Sequence, residues 1–142
     1  MERLERLAIE ADCLRLINNF NWYVDAFAYD DAIALFTPDG VIHRLDVAFE
    51  GEAGLRKVFA MRDPNRKTCH LVSNAVVEII DGDLATGKAL CSIYGHVGAV
   101  KAGEYAPLEV PDTIVRNDFR FRRTEEGWRI QEVQLSVEFR KQ

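Results

Sequence analysis

Residues 69–97 read CHLVSNAVVEIIDGDLATGKALCSIYGHV, and this stretch decides the fold class. Two runs rich in β-branched and aromatic residues, 69–80 and 84–97, flank Asp81-Gly82-Asp83, whose residue types favour a tight turn. The pattern predicts a hairpin of two long antiparallel strands. Two further strands are expected on its C-terminal side, over residues 114–123 and 128–139.

The N-terminal half has a helical period instead. Apolar residues recur at steps of four and three, which predicts an amphipathic helix from about residue 3 to residue 27; they are Cys13, Ile17, Phe20, Val24 and Phe27. Two shorter helices, over 30–36 and 51–61, are separated by a turn at 37–40 and a strand over 41–46. Helices followed by a meander of strands predict an α+β fold, with helices on one face of an antiparallel sheet.

Composition restricts the function classes. The chain has 142 residues, 48% hydrophobic and 29% charged, which suits one domain over residues 1–142 with a single core. A net charge of −5 argues against nucleic acid as a partner, because such binding needs excess Lys and Arg. Apolar runs are far shorter than the roughly 20 residues of a membrane span, and the N-terminus lacks signal-peptide character. We therefore expect a soluble, cytoplasmic protein without a membrane partner.

Metal and cofactor motifs are not found in the sequence. Cys13, Cys69 and Cys91 are widely spaced and form no CxxC pair, so all three are interpreted as small apolar fillers. The three histidines are not spaced with one another or with carboxylates as metal ligands. We predict no metal and no cofactor.

His70 is the residue whose pattern most suggests chemistry. It shares one strand face with Val72, Asn74 and Val76, and a ring among β-branched neighbours is partly desolvated, which favours the uncharged base. The alternative is a core histidine with both ring nitrogens satisfied. The pattern leaves both interpretations open.

Other polar residues fall on apolar faces or beside them. Asn117 alternates with Val115 and Phe119, so its amide needs either protein partners or a ligand, and structural and ligand-facing roles are equally open. His43 alternates with apolar residues and is predicted to face inward, with a position at the rim of an edge strand as the alternative. Asp25 lies at the flank of the helical stripe, where the pattern indicates boundary or solvent.

The strand over 69–80 is apolar on both faces. A sheet covered by helices on one side should be polar on the other, so a second apolar face predicts contact with another subunit. A homodimer is the simplest expectation, and a larger homo-oligomer is the alternative.

Four segments resemble the SnoaL-like branch of the nuclear transport factor 2-like superfamily. They are residues 25–40, which end in Leu-Phe-Thr-Pro-Asp-Gly, residues 50–55, residues 69–74 and the Gly-Trp segment 126–130. Their order and spacing together are similar to the family pattern over nearly the whole chain. The resemblance implies a cone-shaped α+β barrel, in which N-terminal helices pack into a strongly curved sheet around a deep apolar pocket.

The resemblance also implies a site. Members related to scytalone dehydratase, hexachlorocyclohexane dehydrochlorinase and bile-acid dehydratase use a His on the first long strand with an Asp on the first helix, and His70 and Asp25 match those positions. The implied activity is a dehydratase-like or cyclase-like lyase or isomerase that acts on a small hydrophobic cyclic molecule. The expected pocket residues are Trp22, Tyr23, Tyr29, His43, Val72, Asn74, Asn117 and Phe119.

Two positions depart from the family pattern. Several relatives place an Arg on the last strand where this chain has Val133 and Gln134, and Ala28 replaces an acidic residue. The substrate therefore does not follow from the resemblance. The alternative functions are a ligand-binding module without catalysis and the small subunit of a ring-hydroxylating dioxygenase, because the same fold serves both.

Overall fold

The computed structural model describes residues 1–142. Three helices and six strands follow in the order α1 (Arg3–Asp25), α2 (Tyr29–Ala34), β1 (Phe36–Arg44), β2 (Val47–Glu50), α3 (Gly51–Ala60), β3 (Arg66–Ile79), β4 (Leu84–Val97), β5 (Thr113–Thr124) and β6 (Gly127–Arg140). The predicted α+β class is confirmed. The helices pack on a curved six-stranded sheet that stays unclosed, with β2 and β3 at its edges.

Helix α1 packs the predicted apolar stripe against the sheet. Cys13 and Ile17 are completely buried, and Ile9, Leu16, Phe20 and Val24 are nearly so. Burying an aliphatic or aromatic side chain of this size contributes about 1.5–3 kcal/mol, so the stripe fixes the helix on β3 and β6. The helix ends at Asp25, two residues before its predicted end, because Phe27 has a left-handed φ of 57° and is partly exposed.

The sheet is mixed rather than wholly antiparallel. Strand order is β2-β1-β6-β5-β4-β3, and β1 runs parallel to β6, while every other pair is antiparallel. The predicted turn at 37–40 lies within β1 as an irregularity between Phe36 and Val41, where the register with β6 shifts. The antiparallel prediction was wrong for this one pair, because β1 pairs with a strand distant in sequence.

The strand predicted over 41–46 reverses before its end. Leu45 and Asp46 both have positive φ values, 49° and 62°, and form the tight connection between β1 and β2. The prediction that His43 faces inward was wrong for a separate reason, because the alternation of β1 has the opposite phase and its neighbour Ile42 faces the core. Ile42 is the buried residue at 2% exposure, and His43 lies on the outer face, where its Nε2–H donates to Glu132 at 2.9 Å.

A bulge in β3 exchanges the two faces of that strand. Asn74 has a φ of 55°, and the register with β4 shifts between Ser73 and Val76. His70 and Val72 face the helices before the bulge, but Asn74 and Val76 lie exposed after it. The prediction that all four share one face was wrong for Asn74 and Val76. The bulge accounts for Val77 and Ile79, which pack against the core after it, whereas Leu71 before the bulge stays exposed on the outer face.

Candidate active site

Asp25 and His70 form a hydrogen-bonded pair beneath the helices. Asp25 is the last residue of α1, and His70 lies on the inner face of β3. The Nδ1–H of His70 donates to Oδ1 of Asp25 at 2.5 Å, and the two side chains are only 14% and 17% exposed. The pair that the resemblance implied is thus brought together by elements 45 residues apart in sequence.

The Asp25 carboxylate is held on both oxygens. Its Oδ1 also accepts from the Thr68 hydroxyl at 2.8 Å, and its Oδ2 accepts from the His70 backbone N–H at 2.8 Å. Burial alone raises the pKa of this carboxyl, but the hydrogen bonds from His70 and Thr68 and the charge of His70 outweigh burial and lower the pKa. Asp25 is therefore ionised at neutral pH.

An ionised carboxylate accepts hydrogen bonds only, so Asp25 fixes the tautomer of the neutral His70 ring. Nδ1 carries the proton, and Nε2 carries a lone pair without a hydrogen-bond partner in the chain. His70 also lines the main cavity of the protein. The arrangement can therefore present an oriented base to a molecule in that cavity.

The cavity has a volume of about 900 Å³ and lies between α1, α3 and the inner face of the sheet. Its apolar wall includes Phe20, Val24, Val58, Phe59 and Leu135. A volume of this order suits a small ring compound. A smaller hollow of about 200 Å³ on the opposite face of the sheet includes neither Asp25 nor His70, so the cavity beside the pair is the candidate site.

Asn117 is a polar group at the sheet side of the cavity. Its residue is 3% exposed, it lines the cavity, and its Oδ1 has no hydrogen-bond partner. The amide could be turned to present either its oxygen or its NH₂ group, because the two are assigned from the surrounding hydrogen bonds. The side chain lies ready to hydrogen-bond a ligand.

Asn21 of α1 and Cys91 of β4 also line the cavity. The Asn21 amide nitrogen donates to the Ile17 carbonyl at 2.9 Å, and its Oδ1 accepts from the Cys91 thiol at 3.9 Å. Burial, with smaller contributions from Asp25 and Cys69, raises the pKa of the Cys91 thiol to about 12. Cys91 is thus an uncharged wall residue, as predicted for a filler, whereas Cys69 is exposed and the filler prediction was wrong there. Cys69 lies on β3 next to His70, and adjacent strand residues face opposite ways.

Arg62 is a cavity residue that no sequence pattern indicated. It follows α3 by two residues, and its guanidinium donates to the Val24 carbonyl, the Tyr29 hydroxyl and the Thr68 hydroxyl, each at 2.8 Å. A basic residue at the end of a helix is ordinary in sequence, because it interacts favourably with the helix dipole. Only the fold shows that Arg62 reaches the cavity.

Several predicted pocket residues lie near the cavity without lining it. Tyr29 stacks on Phe59 with ring centroids 4.9 Å apart, and its hydroxyl accepts from Arg62, so it lies behind the wall. Tyr23 and Val72 are half-buried and pack against the core. Phe119 stacks on Phe121 at 5.5 Å within the core, because β5 carries both rings on its buried face.

Three other predicted pocket residues face away from the cavity. Trp22 is 73% exposed, because it lies on the side of α1 opposite the buried stripe. Asn74 is turned outward by the β3 bulge, and His43 lies on the outer face of β1 because its neighbour Ile42 faces the core. Among the expected pocket residues, Asn117 lines the cavity. Of the expected catalytic pair, His70 lines it.

The structure contains no cluster of three or more His, Cys, Asp or Glu side chains suited to hold a metal ion. None of its helices is long and apolar enough to cross a membrane.

Comparison with known proteins gives a family and a fold. The model of a family described as SnoaL-like domain matches residues 5–134. No curated protein matches the sequence. Among solved structures, an NTF2-like protein with a cystatin-like fold from Novosphingobium aromaticivorans is 20% identical with a TM-score of 0.77, and the match covers 96% of this chain and 86% of that one.

Two further solved structures have names that describe eliminations. The hexachlorocyclohexane dehydrochlorinase LinA-type3 from Novosphingobium barchaimii LL02 is 14% identical with a TM-score of 0.79, covering 99% of this chain and 93% of that one. A candidate scytalone dehydratase from Novosphingobium aromaticivorans is 14% identical with a TM-score of 0.76, covering 99% and 91%. At these identities the likeness shows the fold alone.

Proposed function

This chain belongs to the SnoaL-like family, and from that premise and the geometry of the cavity we propose that it is a cofactor-independent lyase or isomerase. Its substrate is a small hydrophobic cyclic molecule from which His70 removes a proton at carbon. The observation that carries the proposal is the His70–Asp25 hydrogen bond beside a cavity of about 900 Å³.

The proton transfer uses the free ring nitrogen. Nε2 of His70 takes the proton, and the electron pair of the broken C–H bond forms a new C=C bond as the leaving group departs with its own bonding pair. Where hydroxide leaves, the imidazolium returns the proton to it and water results. In an isomerisation the same proton is returned to another carbon. No external oxidant or reductant is required in either case.

Asp25 stabilises the imidazolium that this step creates. Its carboxylate already accepts the Nδ1–H, so the developing positive charge meets a fixed negative charge at 2.5 Å. The pair is largely shielded from water, where attraction between charges is stronger than at an exposed site. The role of Asp25 is therefore to hold and stabilise the base.

Asn117 is the polar partner proposed for the substrate. A buried polar atom without a hydrogen bond costs about 1–3 kcal/mol, and the unpaired atom of Asn117 is its acceptor Oδ1. With the amide turned so that its NH₂ group takes that position, a substrate oxygen in the cavity would relieve the cost. The amide would then donate to oxygen as negative charge develops there. Trp22, Tyr23 and Tyr29 are expected pocket residues that also carry hydrogen-bond donors, but they do not line the cavity, so Asn117 is the group proposed for this role.

The buried pair also favours an enzyme over a binding module. A hydrophobic ligand gains nothing from an ionised carboxylate that orients a histidine, and burying that carboxylate is unfavourable without compensating hydrogen bonds. The three hydrogen bonds keep Asp25 ionised and in position to orient His70. A base that transfers protons uses such an orientation, whereas the binding of a hydrophobic ligand does not need it.

The test is proton exchange at carbon. The protein is incubated in D₂O with 2-tetralone and with 3-hydroxycyclohexanone, and deuterium uptake and loss of water are followed by mass spectrometry. Wild type and a His96→Gln control should exceed the uncatalysed rate, because His96 does not line the cavity. His70→Gln and Asp25→Asn should fall to background while remaining folded. Equal rates for wild type and His70→Gln would contradict the proposal.

A further inference from the structure

The Arg62 guanidinium is a positive charge at the cavity without a negative partner. It is part-buried and lines the cavity, yet it forms no ion pair with a carboxylate, although nine ion pairs occur elsewhere in the chain. Removing a charge from water is unfavourable unless an opposite charge or hydrogen bonds compensate it. Arg62 has only part of that compensation.

Its hydrogen bonds leave donors free. A guanidinium has five N–H groups. Nη1 donates both of its protons, to Val24 and Tyr29, and Nη2 donates one to Thr68. One Nη2–H and the Nε–H find no acceptor in the chain. The contacts with the rings of Phe27 and Tyr29, at 5.5 and 5.8 Å, hold the group in place without using those donors.

Arg62 differs from the other arginines at the cavity. Arg66 is neutralised by Asp112 at 2.6 Å. Arg44 and Arg140 are exposed to solvent, where water and salt reduce their attraction for a ligand. Arg62 alone combines partial burial, a fixed position and free donors.

Arg62 is also connected to the proposed base. Its Nη2–H donates to Thr68, the Thr68 hydroxyl donates to Asp25, and Asp25 accepts from His70. Thr68 and His70 stand two residues apart on the same face of β3, which separates their Cα atoms by roughly 7 Å. A ring compound whose one edge lies at Arg62 can therefore present another edge to His70.

We propose that Arg62 binds a carboxylate of the substrate, so that the ligand of this cavity is an apolar ring carrying one anionic group. Two neighbouring N–H donors of a guanidinium match the two oxygens of a carboxylate. The apolar wall contacts the ring, and Arg62 fixes which edge of it faces His70. This inference names the substrate class of the proposed lyase or isomerase and rests on that proposed function.

The test measures equilibrium binding of two matched probes, 1-naphthoate and the neutral 1-naphthamide, by isothermal titration calorimetry. Wild type should bind naphthoate at least about tenfold more tightly than naphthamide, the preference expected of a hydrogen bond between charged groups. Arg62→Gln should abolish the preference and leave naphthamide binding unchanged. Arg62→Lys keeps the positive charge but lacks the paired N–H donors of the guanidinium, so it should retain part of the preference for naphthoate.

Two control variants distinguish Arg62 from the other charged groups of the protein. Arg56→Gln removes the same charge from an exposed position outside the cavity and should keep the full preference. His70→Gln should also keep it, because the carboxylate binds to Arg62 rather than to an imidazolium. Equal binding of the two probes by wild type, or a preference lost in His70→Gln and kept in Arg62→Gln, would overturn the inference.

Failure of this inference and failure of the proposed function are distinguishable. The probes are not turned over, so their binding reports on Arg62 whether or not His70 abstracts protons. Deuterium uptake without a preference for naphthoate would support the proposed lyase or isomerase and contradict the inference that Arg62 binds a substrate carboxylate. A naphthoate preference without proton exchange on any ring carboxylate supports Arg62 and contradicts catalysis.

Discussion

Replacing Asp25 by Asn tests the electrostatics of the site through stability alone, without a known substrate. The wild-type carboxylate accepts three hydrogen bonds, from Thr68, from the His70 ring and from the His70 backbone. An Asn side chain has one oxygen to accept and an NH₂ group that can only donate. At least one of the three bonds is lost, and a hydrogen bond to a charged group contributes about 1.5–3 kcal/mol. We expect Asp25→Asn to lower the free energy of unfolding by about 2 kcal/mol near pH 6.

The lowered pKa of Asp25 determines how the stability difference between wild type and Asp25→Asn changes with pH. The pKa of Asp25 is lower in the folded protein than in the unfolded chain, where it is about 3.9. The folded protein therefore stabilises the ionised carboxylate of Asp25. This contribution to the free energy of unfolding is complete above the unfolded pKa. It is lost as the pH falls through the folded pKa. The stability difference between wild type and Asp25→Asn should shrink below about pH 4.

Urea unfolding followed by circular dichroism, at about pH 6 and again at about pH 3, measures both quantities. Asp31→Asn is the matched control, because Asp31 is exposed and makes no side-chain hydrogen bond. Its stability should stay within about 0.5 kcal/mol of wild type at both pH values. A difference for Asp25→Asn that stays constant or grows on acidification would refute the assigned electrostatics.

Three other predictions concern the thiols, the bulge and the outer face. At about pH 8 a thiol reagent should modify Cys69 alone in the folded protein, because burial raises the pKa of Cys13 and Cys91 to about 12. In guanidinium the reagent should modify all three cysteines. Rapid modification of two or three thiols in the folded chain would contradict this prediction. Asn74→Val should lower the unfolding free energy by about 1–2 kcal/mol, since a β-branched residue resists the left-handed φ of 55° found there, whereas Asn74→Gly should be close to neutral in the same urea titration. Leu71 is 53% exposed on the outer face of the sheet, where the homodimer expected from the sequence would cover it. Light scattering should therefore give twice the 16.2 kDa chain mass for wild type and a monomer for Leu71→Glu. A monomeric wild type would refute the homodimer.

The regular elements could be predicted from sequence because their signals are local and repeated. The α1 stripe through Cys13 and Ile17 and the two long runs of the β3–β4 hairpin each rest on many residues, so no single exception changes them. The His70–Asp25 pair was indicated by resemblance. Pattern alone placed Asp25 at a boundary, because no periodicity reports on a contact between residues 45 positions apart.

Some of the errors arise at single residues with unusual backbone conformations. One left-handed residue, Asn74, exchanges the faces of β3, and two more, Leu45 and Asp46, end β1 early. The Asn74 bulge changes which side chains of β3 face the helices, yet none of these residues alters the apolar pattern by which the strands are found. Arg62 was missed for a different reason, since its role depends on three acceptors from α1, α2 and β3 that only the folded chain brings together.

The tautomer of His70 tests the proposed chemistry most directly. In protein labelled with ¹⁵N at histidine, long-range ¹H–¹⁵N spectra at about pH 8.5 distinguish a protonated ring nitrogen from one with a lone pair. We expect His70 to carry its proton on Nδ1, hydrogen-bonded to Asp25, and a lone pair on Nε2. Asp25→Asn should reverse or mix the tautomers. A wild-type ring protonated on Nε2, with the lone pair on Nδ1, would contradict the assignment of His70 as the base that faces the cavity.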